Sequence, residues 1–125
     1  MASLAGCASS ADTGGLLEGQ WGGPNMQVVA RKSGVVVSLT CLDATFTGPV
    51  PIGADGRFTA VGAVTGASWG GVMGEQVRVS GTVVGGKANI LFNFRDSAGG
   101  WDTTPTAFSV ALGQPVSWPD GQTCP

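Results

Sequence analysis

Period-two alternation broken by glycine turns constrains this chain more than any other feature, and Val35-Val36-Val37-Ser38-Leu39-Thr40-Cys41-Leu42 states it most plainly. Val35, Val37, Leu39 and Cys41 fall on one face, Ser38 and Thr40 on the other, and β-branched residues dominate. A strand with one face on a core and one in solvent produces this pattern. Similar runs span 26–30, 45–47, 58–65, 75–83, 88–95 and 106–112. Turn signals separate them: Lys32-Ser33-Gly34, Asp43-Ala44, Asp55-Gly56 and Gly85-Gly86, with two long connections at 66–74 and 96–105. Asp-Gly between two alternating runs is among the strongest short hairpin signals. No stretch carries a helical period.

Seven such runs, all joinable by hairpins, predict an all-β, antiparallel, up-and-down sheet. Left open, it would expose two edges, so closure into a single β-barrel of about seven or eight strands is the expected solution. A β-sandwich is the alternative. Pro49 and Pro51 restrict the run at 45–47 to an edge or a bulge. The chain has 22 Gly and 7 Pro, a level at which disorder competes, but its 42% hydrophobic content and regular alternation argue for a packed domain. The reading divides it into a flexible segment at 1–18 and one barrel domain at 19–125.

The chemistry available is narrow. Histidine and tyrosine are absent, which removes the usual general base and the commonest metal ligand. Lys32 and Lys87 sit in turns, and the acids Asp12, Asp43, Asp55, Asp96, Asp102 and Asp120 are scattered over tether, turns and loops. Neither a facing carboxylate pair nor a nucleophile with its base can be assembled, so the reading is non-enzymatic, with no catalytic residue, metal or cofactor. Six basic residues and a net charge of −2 leave no stripe for phosphates, which argues against nucleic acid.

Two local resemblances add expectations. Leu4-Ala5-Gly6-Cys7, followed by Ala8-Ser9-Ser10, resembles the lipobox of bacterial lipoproteins. Only Met1-Ala2-Ser3 precede it, without the basic start and apolar stretch of such signals, so the resemblance implies a start further upstream. It implies lipidation at Cys7, a membrane anchor and an extracytoplasmic location. Ala8 replaces the Asp that holds lipoproteins at an inner membrane, which points to the outer membrane or cell surface. The alternative is a frayed N-terminus with a stray thiol. Gly19-Gln20-Trp21, with Gly22-Gly23-Pro24 after it, resembles the opening of lipocalin and avidin-like barrels, where the Trp plugs one end. Trp21 is equally readable as a plain core aromatic.

With Cys7 set aside as the anchor, Cys41 and Cys124 form an even pair, and an exported protein is oxidised, so a disulfide between them is expected. The alternative is two reduced cysteines. Residues 113–123 must then travel back along the barrel, with Val116-Ser117-Trp118 as an eighth strand closing the gap between the runs at 106–112 and 26–30. In a meander, successive connections alternate between ends. Turns at 31–34, 53–57 and 84–87 share one end, and connections at 43–44, 66–74 and 96–105 share the other. Trp69, Met73 and Trp101 thus meet at one mouth and, with Trp21, are the candidate residues for a small apolar ligand or a protein partner. Alternatively they plug a solid barrel whose outer surface does the work, as in a structural or inhibitory envelope protein.

Overall fold

The computed structural model describes residues 15–67, 74–95, 100–101 and 105–118. Eight antiparallel strands form a closed barrel in which every strand neighbours the next in sequence. They are β1 (Gly19–Gly23), β2 (Met26–Arg31), β3 (Gly34–Leu39), β4 (Leu42–Thr47), β5 (Arg57–Ala67), β6 (Gln76–Val84), β7 (Lys87–Phe94) and β8 (Thr106–Leu112). The sandwich alternative is thereby set aside.

The ring closes at a different place from the one expected. The additional strand is β1, which pairs along its whole length with β2 and through Trp21↔Leu112 and Gly22↔Ala111 with β8. Residues 116–118 contribute a single parallel bridge, Pro24↔Ser117. β1 escapes an alternation search because two of its three inward positions, Gly19 and Gly23, carry no side chain. The packing explains the glycines. A Cβ on Gly19 would lie 2.7 Å from Leu112 Cδ1, and one on Gly23 would overlap the Ser109 carbonyl oxygen. The seam closes only because the backbones meet there.

A second difference concerns Cys41. β3 stops at Leu39, which pairs with Leu42, so Thr40 and Cys41 form a two-residue turn and Asp43 lies inside β4. Cys41 has φ 67°, outside any strand conformation. The inward set Leu42, Ala44 and Phe46, all buried, begins directly after this turn and overrides the weak turn preference of Asp43-Ala44. A bulge interrupts the β4–β5 ladder, with Asp43 opposite Gly66 and Ala44 opposite Val64.

Inward side chains from all eight strands merge into one cluster that includes Trp21, Met26, Phe46, Phe58, Val77 and Phe92. Eight strands leave an interior that side chains fill or that holds one small ligand, and here this cluster lines it. The end where β1 starts has a built cover. Leu17 donates its N–H to Val50 O (2.8 Å), and Ile52 donates to Gly15 O (2.7 Å). Leu17, Val50 and Ile52 are all buried, so the chain joins the barrel before Gly19 and apolar side chains, not short polar turns alone, seal this end.

Candidate functional site

The strand order sets the connections 24–25, 40–41, 68–75 and 95–105 at one end and 32–33, 48–56 and 85–86 at the other. The connections 68–75 and 95–105 thus leave from the same end, and the equally long 48–56 from the other. Trp69 and Met73 lie outside the described residues. Trp21 and Trp101 are described, and the structure does not bring them together.

Trp21 points into the barrel, is 1% exposed, and donates its indole N–H to the Glu18 carbonyl at 3.1 Å. Glu18 precedes β1, so the indole N–H faces the covered end. A Trp with its polar edge satisfied by backbone and its rings in the core is structural in its contacts.

Trp101 lies on the outside. Val77 and Val79 are buried in the core, so Arg78 between them faces outward, with Val61 and Asn93 as its cross-strand neighbours. The Arg78 guanidinium carbon is 4.9 Å from the centroid of the Trp101 ring, and that of Arg95 is 5.3 Å from it. An Arg95↔Trp101 bridge holds the end of the β7–β8 connection alongside the residue that follows β7. The ring therefore rests on the outer wall at the end from which 68–75 and 95–105 leave, held by cation–π contacts whose strength rises as the site loses water. Asn93 is 3% exposed although its register turns it outward. The Arg78 Nε is buried and has no hydrogen-bond partner among the described residues.

The wall beyond Arg78 carries short polar side chains. Thr59 donates its hydroxyl to Val79 O (3.2 Å), and Ser109 donates to Asn89 Oδ1 (3.1 Å). Leu91 and Val61 remain 41% and 50% exposed among them. Two shallow surface grooves flank this area. One, of about 460 Å³, runs past Arg57, Ser80, Thr82 and Leu91. The other, of about 390 Å³, lies between the 24–25 turn and residues 114–117 and is lined by Pro24, Ala88, Val110 and Pro115 among others.

The sequence reading passed over Arg78, Arg95 and Asn93. Their signal was present but faint: an outward Arg at the start of one strand and another at the end of its neighbour, flanking the connections 68–75 and 95–105. Among the described residues no three His, Cys, Asp or Glu side chains are grouped so as to hold a metal. Cys41 is disulfide-bonded, while Cys7 and Cys124 both lie outside the described residues. Comparison with protein-family models, with curated proteins and with solved structures found no match.

Proposed function

We propose that this protein is a non-enzymatic binding module whose barrel acts through its outer wall, at the face of β5 to β7 that carries Arg78, Arg95 and Trp101. One observation carries the reading: the Trp101 ring lies outside the barrel within cation–π range of Arg78 and Arg95, while the large inward side chains cluster in the interior. An outer Trp–Arg cluster is the composition partners use. Titration with a fluorescent apolar probe tests it. No saturable binding is expected, and stoichiometric uptake would return the function to the interior.

The second reading, a small apolar ligand at the mouth involving Trp69 and Met73, is favoured by one point, that the connections 68–75 and 95–105 leave from one end. The same titration decides between the two.

The lipobox-like Leu4-Ala5-Gly6-Cys7 supports a lipid anchor at Cys7 and an extracytoplasmic place, with residues before Gly15 as the tether. The Cys41–Cys124 pairing is supported by where the chain up to Trp118 leads. Ser117 hydrogen-bonds Gly23 and Asn25 in the β1–β2 turn, which adjoins the Cys41 turn through the Met26↔Leu39 pair. Neighbouring strands are about 4.8 Å apart, and seven residues from 118 to 124 reach up to about 25 Å, so Cys124 arrives with slack.

A further inference from the structure

We infer that the outer wall beside Trp101 docks a polypeptide that presents a carboxylate next to apolar side chains, with Arg78 and Arg95 receiving the carboxylate. The inference rests on the outer-wall reading above and names its partner's chemistry.

Three observations carry it. The first is the state of Arg78, half-buried against the indole, with no acceptor for its Nε among the described residues. The guanidinium fork of an arginine matches the two oxygens of a carboxylate. The second is convergence. Arg78 and Arg95 hold two like charges within 4.9 and 5.3 Å of one ring centroid, where one anion relieves both. Of the six basic residues in a chain of net charge −2, four (Arg57, Arg78, Lys87 and Arg95) are outward residues of β5 to β7 or their immediate ends.

The third is apolar surface in register with the charge. Val61 opposes Arg78 across the β5–β6 ladder, and Leu91 lies two residues before Asn93 on the same face of β7. Both are exposed large hydrophobics, and Thr59, Ser80 and Thr82 edge them with short polar side chains. Trp and Arg at a centre, aliphatic contacts beside them and a polar rim is the make-up of a protein-binding hot spot. A polyanion such as nucleic acid would need cations repeated along its backbone and would leave Val61 and Leu91 unused.

The test is selection of a random peptide display library on the full chain, followed by affinity measurement against variants. Selected peptides are expected to carry Asp or Glu flanked by apolar residues and to weaken with added salt. They should lose at least about tenfold on R78Q/R95Q, which is about 1.4 kcal/mol, with R78K/R95K in between because Lys lacks the fork. Urea midpoints check that each variant folds, and the exposed Arg95→Gln alone keeps the test open should Arg78→Gln unfold. Peptides without carboxylates that are nonetheless lost on Val61→Asp or Leu91→Asp would overturn the carboxylate assignment and keep the outer-wall reading. Peptides indifferent to all these variants, or no selected peptide at all, would overturn both.

Discussion

Phe58 fills the space that Gly81 leaves. A Cβ at Gly81 would lie 2.7 Å from the Phe58 Cζ and 2.6 Å from the Asn89 carbonyl oxygen across the neighbouring ladder. Gly62 and Phe46 repeat the arrangement one strand away, where a Cβ would meet the Phe46 ring at 2.7 Å. Inward glycines opposite inward phenylalanines are how this narrow barrel accommodates rings that its radius alone would exclude. Gly81→Ala and Gly62→Ala are therefore expected to destabilise by about 1–3 kcal/mol each, through overpacking. Urea unfolding would show it as a lower midpoint at unchanged slope. Phe58→Leu should recover only part of the loss in Gly81→Ala, since the Asn89 carbonyl remains in the way.

Trp21 is the largest fully buried side chain, and its indole N–H is held by Glu18 O at 3.1 Å. Trp21→Ala should cost about 3–5 kcal/mol, enough to unfold a domain of ordinary stability. Trp21→Phe should cost less while releasing the residues before β1. A reading of backbone hydrogen exchange at Leu17 and Ile52 would separate the two effects, since their N–H groups form the cover of that end.

Asn25 has φ 65° and follows Pro24 in the two-residue connection between β1 and β2, the arrangement a type II turn requires. Asn25→Gly should be close to neutral. Asn25→Val should cost about 1–2 kcal/mol, because a β-branched side chain does not tolerate left-handed backbone. Thermal unfolding of the two variants side by side measures the contrast.

For the proposed Cys41–Cys124 bridge, Cys41→Ser and Cys124→Ser should each lower stability by roughly 4 kcal/mol, and the double variant should lose no more than either alone. Reductant should lower the melting temperature of the parent and leave the double variant unmoved. Peptide mapping without reduction names the partner directly, and a Cys41–Cys7 fragment would reassign the tether.

The lipid anchor is tested in a chain expressed behind a complete signal segment. Cys7→Ser is expected to move the protein from the membrane fraction to the soluble one. Unchanged fractionation would remove the lipobox reading while leaving the barrel and its outer wall untouched.

Alternation by itself determined the class of this protein. Val35 and Val37, Ile90 and Phe92, and Phe108 and Val110 each recur at period two. Side chains at that spacing share one face of a strand whatever the strand pairs with. Six hairpin connections in a row then leave a meander little choice except closure, and the parity of its loops follows from the same count. Three things were decided only by the tertiary structure. β1 pairs with β8 because Gly23 leaves room where two backbones meet and Gly19 where the Leu112 side chain packs, and an absent side chain leaves no hydrophobic signal. Cys41 leaves the strand for a turn because Leu42, Ala44 and Phe46 claim the inward register, a preference that local turn chemistry does not report. Trp101 lies outside the barrel, its ring within cation–π range of Arg78 on β6 and of Arg95 just past β7. Arg78 and Arg95 are 17 positions apart in the chain, and only the β6–β7 ladder brings them to one ring.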